Sequence, residues 1–79
     1  LQRRYEKFMK FSDRVKSLRI QKGYTQCELA ELTNISQPAL QAYEAGKAKP
    51  LKNNAIQLAK ILGVSYEELV EDDNNVIEK

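Results

Sequence analysis

The chain has 79 residues, 42% of them hydrophobic, with 13 Lys/Arg against 11 Asp/Glu and a formal net charge of +2. That size makes one small domain with room for a compact core, and no run is long and apolar enough to cross a bilayer as a helix. Histidine is absent and Cys27 is the only cysteine, so an intrachain disulfide is impossible, and neither a zinc site nor a Ser-His or Cys-His nucleophile can be assembled in the usual way.

The carboxylates fall at helix starts and along polar faces, where capping and solvation account for them. The expectation is therefore a non-enzymatic protein with no metal and no cofactor. A single thiol and no secretory pattern point to a reducing cytoplasm. Charge is unevenly spread. Residues 1–25 carry eight Lys/Arg against two Asp/Glu, and residues 64–79 carry one against six. A basic front half and an acidic tail suit a domain that lays one surface on phosphate, although solvated charge on a small protein reads the same way.

In chain order, residues 1–10 form an N-terminal extension, and a start at Met9 would set Leu1–Phe8 apart from the fold. Residues 11–70 hold the helices. The first is expected over Ser12–Lys22, with Ser12 as cap, Val15 and Leu18 on one face and Gly23 ending it. Tyr5, Phe8, Phe11, Val15 and Leu18 recur every three or four residues, a pattern that extends the helix back toward Arg3. Ser12 argues for a break there.

Thr25 and Glu28 have capping-box spacing and open a second helix over Gln26–Thr33. Ser36 caps a third over Gln37–Glu44, with Pro38 in its first turn, where a missing N–H costs nothing. Asn34 sits at the reversal between them and tolerates a left-handed backbone. Two capped helices of about eight residues joined by so tight a turn are a helix-turn-helix signature. The partner this implies is duplex DNA.

After a loop from Ala45 to Pro50, with Gly46 stopping the third helix, a fourth helix is expected over Lys52–Leu62. It buries Ile56, Ala59 and Leu62 and ends at Gly63. Ser65 and Glu68 form another capping box, so a short fifth helix covers Tyr66–Val70 with Leu69 inward. Residues 71–79 form an acidic tail expected to fray. The fold class is all-α, with five helices and the motif at the second and third.

At 100° per residue, Gln37, Pro38, Gln41 and Ala42 share one side of the third helix, while Ala39, Leu40 and Tyr43 share the other. The first set is expected to face the major groove. Glutamine can contact adenine N6 and N7 together, which makes Gln37 at the leading end the first base reader and Gln41, one turn on, the second. Both are also ordinary solvated helix formers. Pro38 and Ala42 can touch only thymine methyls or fill space, so DNA shape supplies part of the selectivity. Gln26 and Ser36 stand at helix N-termini, where exposed N–H groups favour phosphate. Lys47, Lys49 and Lys52 flank the following loop as further phosphate contacts; singly, each reads as plain surface charge. Cys27, on the outer side of the second helix, has no assigned role.

Taken together, RVKSLRIQKG, TQCELAELTNIS, YEAG, Pro50 and LAKILGVSYEEL resemble the lambdoid phage repressor and Cro family of helix-turn-helix domains over about Phe11–Leu69. The resemblance implies that Leu29, Ala30, Ile35, Leu40 and Tyr43 pack the two motif helices together. It also implies a base-contacting role for Gln37 and phosphate clamps at Gln26, Ser36 and the lysines. Arg19 on the first helix would hold Glu44 at the end of the third. Thr33 departs from the family, which places an aliphatic there, and Leu32 is expected to supply the contact. Pro38 and Ala42 stand where relatives often carry polar readers.

The function implied is a transcription regulator, most simply a repressor that occludes a promoter. It would bind a palindromic operator as a symmetric homodimer, with recognition helices about 34 Å apart. Val64, Tyr66, Leu69 and Val70, or Tyr5, Phe8 and Met9, would form the two-fold surface. Two other uses of the fold remain open. One is an antitoxin that binds a small toxin protein through the N-terminal aromatics and represses its own operon. The other is a restriction-modification controller.

Overall fold

A computed structural model describes residues 10–70, which form five helices: α1 (Phe11–Lys22), α2 (Gln26–Thr33), α3 (Gln37–Glu44), α4 (Lys52–Leu62) and α5 (Tyr66–Val70). The expected backward extension toward Arg3, the aromatic residues Tyr5 and Phe8, Met9 and the acidic tail lie outside the described residues. So does the toxin-facing surface expected on those aromatics.

The first helix starts two residues earlier than its cap signal predicts, with the N-cap at Lys10 in place of Ser12. Lys10 takes the extended N-cap conformation with no side-chain cap bond, and Ser12 lies inside the first turn. Burial of Phe11 decides this, since its ring is 4% exposed in the core and withdrawing a phenyl ring from water outweighs one capping bond of about 1 kcal/mol. Ser12 instead packs against the loop after α3, its Oγ 3.6 Å from where a side chain on Gly46 would begin.

The core is assembled from one stripe per helix. Phe11 and Val15 from α1, Leu29 and Ala30 from α2, Leu40 and Tyr43 from α3, Ala55, Leu58, Ala59 and Leu62 from α4, and Leu69 and Val70 from α5 are all buried, with Ile35 added from the turn. On α4 the buried face is Ala55–Leu58–Ala59–Leu62. The expected Ile56 is 38% exposed. An (i, i+3, i+4, i+7) stripe begun at Ile56 runs through Ala59, Lys60 and Gly63, whereas one begun at Ala55 takes in Leu58, Ala59 and Leu62. The second set wins because both Leu58 and Leu62 then point inward.

Thr33 fills the family's aliphatic position itself. It is 3% exposed, and its hydroxyl donates to the Leu29 carbonyl at 2.7 Å, so the buried oxygen is satisfied by its own helix. Leu32 does not supply the contact; it is 50% exposed. Arg14 was not expected inside, yet it is buried in α1. Its guanidinium donates to the carbonyls of Leu69 at 2.8 Å and Val70 at 3.3 Å, groups that the last turn of a helix leaves without intrahelical partners. Because Leu69 and Val70 are spent in the protein's own core, they are removed from the expected two-fold surface. Val64 and Tyr66 pack against that core partly buried.

Candidate nucleic-acid interface

Three local devices set the orientation of α2 and α3. The Thr25 hydroxyl accepts from the Glu28 N–H at 3.1 Å while Glu28 accepts from the Thr25 N–H at 2.8 Å. This closes the capping box and leaves the main-chain N–H groups of Gln26 and Cys27 outside it, at the positive end of the helix. Asn34 then turns the chain in the left-handed region, with φ 61° and ψ 33°, where asparagine is among the few residues tolerated. Ser36 caps α3 by accepting from the Ala39 N–H at 3.3 Å, and Pro38 occupies the first turn without sacrificing a helical hydrogen bond.

Between these fixed ends, Leu40 and Tyr43 are buried while Gln37, Pro38 and Gln41 are exposed and Ala42 is half-buried. The Asn54 amide donates to the buried Tyr43 hydroxyl at 3.1 Å, a lock from α4 on the inward side. An open hollow of about 470 Å³ lined by Cys27, Ala30, Glu31, Asn34, Ile35, Ser36 and Gln37 lies between the two motif helices. Cys27 and Gln37 are both exposed and line the same hollow, a grouping that sequence spacing did not reveal.

Beyond α3 the backbone reverses through Gly46, whose φ of 75° requires a residue without Cβ strain. The Lys47 N–H donates to the Ala42 carbonyl and the Gly46 N–H to that of Tyr43, the crossed pair that seals a helix end. Lys47, Lys49 and Lys52 are all exposed. The first two lie in the loop. Lys52 opens α4, which has no side-chain cap, and its ammonium lies 5.6 Å from the centre of the Tyr66 ring, a cation–π distance.

Arg19 and Glu44 join α1 to the end of α3. Arg19 Nε donates to Glu44 Oε2 at 2.7 Å and Nη2 to Oε1 at 3.1 Å, a two-pronged pair. The two side chains are only 13% and 3% exposed. Nη1 of the same arginine reaches the Tyr24 carbonyl at 2.9 Å. The Gln26 side chain adds a third donor, Nε2 to Glu44 Oε1 at 3.0 Å. A contact between residues 18 apart on different helices has no signature in local spacing.

Comparison with known proteins settles the class of this motif. A family model described as helix-turn-helix matches residues 15–69, most of the chain. The chain belongs to the Cro/C1-type helix-turn-helix family. It is 37% identical over 65 residues to YqaE of Bacillus subtilis, an uncharacterized HTH-type transcriptional regulator, covering 82% of this chain and 56% of that one. It is 34% identical over 70 residues to RstR, the cryptic phage CTXphi transcriptional repressor of Vibrio cholerae, covering 87% and 63%. The chain therefore spans little more than half the length of the curated relatives it matches. Among solved structures, the restriction-modification controller protein C.AhdI of Aeromonas hydrophila superposes with a TM-score of 0.71 at 30% identity, covering 75% of this chain and 89% of that one. The SinR protein/SinI protein complex gives a TM-score of 0.75 at 27% identity, covering 78% and 61%.

Proposed function

We propose that this protein is a sequence-specific, duplex-DNA-binding transcription regulator that represses by occupying a palindromic operator as a symmetric dimer. The observation that carries the reading is the outward face of α3, where Gln37 and Gln41 are exposed side by side between two groups suited to phosphate. On one side are the uncapped N–H groups at the start of α2 and the Ser36 end of α3. On the other are Lys47, Lys49 and Lys52. Base-reading amides flanked by backbone clamps are what recognition in a major groove needs. Relatives named as transcriptional regulators and as a phage repressor support it.

In this reading Gln37 reads an adenine, Gln41 a neighbouring base, and Pro38 and Ala42 shape the contact with thymine methyls. The main-chain N–H of Gln26, together with Ser36 and the three lysines, grips the sugar-phosphate backbone. No catalysis, metal or cofactor is assigned, and the compartment is the cytoplasm. Selection of bound sites from a pool of random duplexes tests the reading directly. It expects an enriched palindrome, bound with affinity that falls by orders of magnitude between about 50 and 200 mM salt if six or more phosphates are contacted. No retention of any duplex at low salt would overturn it.

A second reading, a restriction-modification controller, is favoured by the likeness to C.AhdI, 89% of which is covered. A promoter fusion separates the two, since a controller activates as well as represses while a simple repressor only silences.

A further inference from the structure

The two motif helices form a V. Its closed end is the turn at Asn34, where Ile35 donates its N–H to the Ala30 carbonyl at 3.0 Å. Its open end is the gap between the first residue of α2, Gln26, and the last residue of α3, Glu44. The Gln26 amide spans that gap, donating to Glu44 Oε1 at 3.0 Å. Arg19 holds the same carboxylate and, through Nη1, the Tyr24 carbonyl just before α2. Sequence spacing gave Gln26 a phosphate contact, but its side chain is half-buried and turned to Glu44.

We propose that Gln26 is a positioning residue for base recognition: its bond to Glu44 fixes the opening of the helix-turn-helix, so that the phosphate grip at the start of α2 and the reading face of α3 meet the groove in one register. This rests on the DNA-binding reading. Without the bond, Glu44 is held by Arg19 alone among the described residues, and α3 can tilt about the turn within the packing of Leu40 and Tyr43. Tilting moves the far end of α3 most, carrying Gln41 and the Lys47–Lys49 loop out of register. Contacts to phosphate tolerate such a shift because phosphates are presented along the whole backbone. Directional hydrogen bonds to base edges do not. The cost therefore falls on discrimination between sequences.

Gln26→Met, nearly isosteric and without a donor, and Gln26→Glu, which sets a carboxylate against Glu44, test this. Each is measured on the selected operator and on a scrambled duplex at 25 °C, with a thermal melt of each variant. The ratio of operator to scrambled affinity should fall about tenfold for Gln26→Met, the scale of one hydrogen bond to a carboxylate, and at least as far for Gln26→Glu. Scrambled-duplex affinity of Gln26→Met should stay within about twofold of wild type. Equal losses on both duplexes would make Gln26 a phosphate ligand and overturn the assignment, as would an unchanged ratio alongside a lowered melting temperature, the mark of a structural brace. Wild type that binds no duplex would overturn the DNA-binding reading and this assignment with it. Wild type that discriminates while the variants discriminate equally well overturns this assignment alone.

Discussion

Arg19→Ala probes the joint between α1 and α3 through a cost that can be worked from its geometry. The substitution removes two hydrogen bonds, at 2.7 and 3.1 Å, from a carboxylate whose side chain is 3% exposed. It also takes a donor from the Tyr24 carbonyl. Breaking one side of a buried ion pair costs roughly 3–5 kcal/mol, because the remaining charge is stranded. Two features lower that figure: Gln26 keeps one bond to Glu44, and truncation of an arginine that is 13% exposed opens a path for water. The expected loss is about 3 kcal/mol. At about 4–8 °C per kcal/mol for a domain of this size, the melting temperature should fall by about 12–24 °C in a calorimetric or circular-dichroism melt. If stranding is the cause, Arg19→Met combined with Glu44→Gln should recover most of the loss, since no charge is left buried. Two results would refute the reasoning: a single variant that melts within about 1 °C of wild type, or a double variant as unstable as the single.

Gln37→Ala should cost about 1–3 kcal/mol on the selected operator and much less on scrambled DNA, with Gln41→Ala giving a smaller loss; equal losses on both duplexes would demote Gln37 to a backbone contact. Lys47→Ala should weaken operator and scrambled duplex alike and reduce the slope of log affinity against log salt by about one, measured by anisotropy titration. Leu58→Ala, at a fully buried position, should destabilise by about 2–5 kcal/mol, whereas Ile56→Ala should change stability by no more than about 1 kcal/mol; reversed effects in urea melts would show that α4 packs through its other face. Thr33→Val keeps the buried shape and removes a hydroxyl bonded only within its own helix, so the urea midpoint should move little, and a loss beyond about 2 kcal/mol would mean that the hydroxyl does more than satisfy itself.

Local signals were enough for the caps and turns that define α2 to α5, though not for the start of α1. The capping boxes at Thr25/Glu28 and Ser65/Glu68, the Ser36 cap, the left-handed Asn34 and the bounds of α2 to α5 follow from hydrogen bonds between residues three or four apart. Such bonds depend on side-chain chemistry and spacing, which sequence states outright. The exposed face of α3 was legible for the same reason, because two inward-facing residues, Leu40 and Tyr43, determine the rotation of an eight-residue helix. Tertiary packing decided the rest. It turned Leu58 of α4 inward and Ile56 outward, drew the start of α1 past its serine to bury Phe11, and let Thr33 sit in the core because a helix carbonyl satisfies its hydroxyl. It also drew Arg14 inside to meet the last carbonyls of α5, and Gln26 onto Glu44 across the open end of the motif. Each of these depends on groups far apart in the chain, whose meeting is a property of how the helices cross, and no local period carries that information.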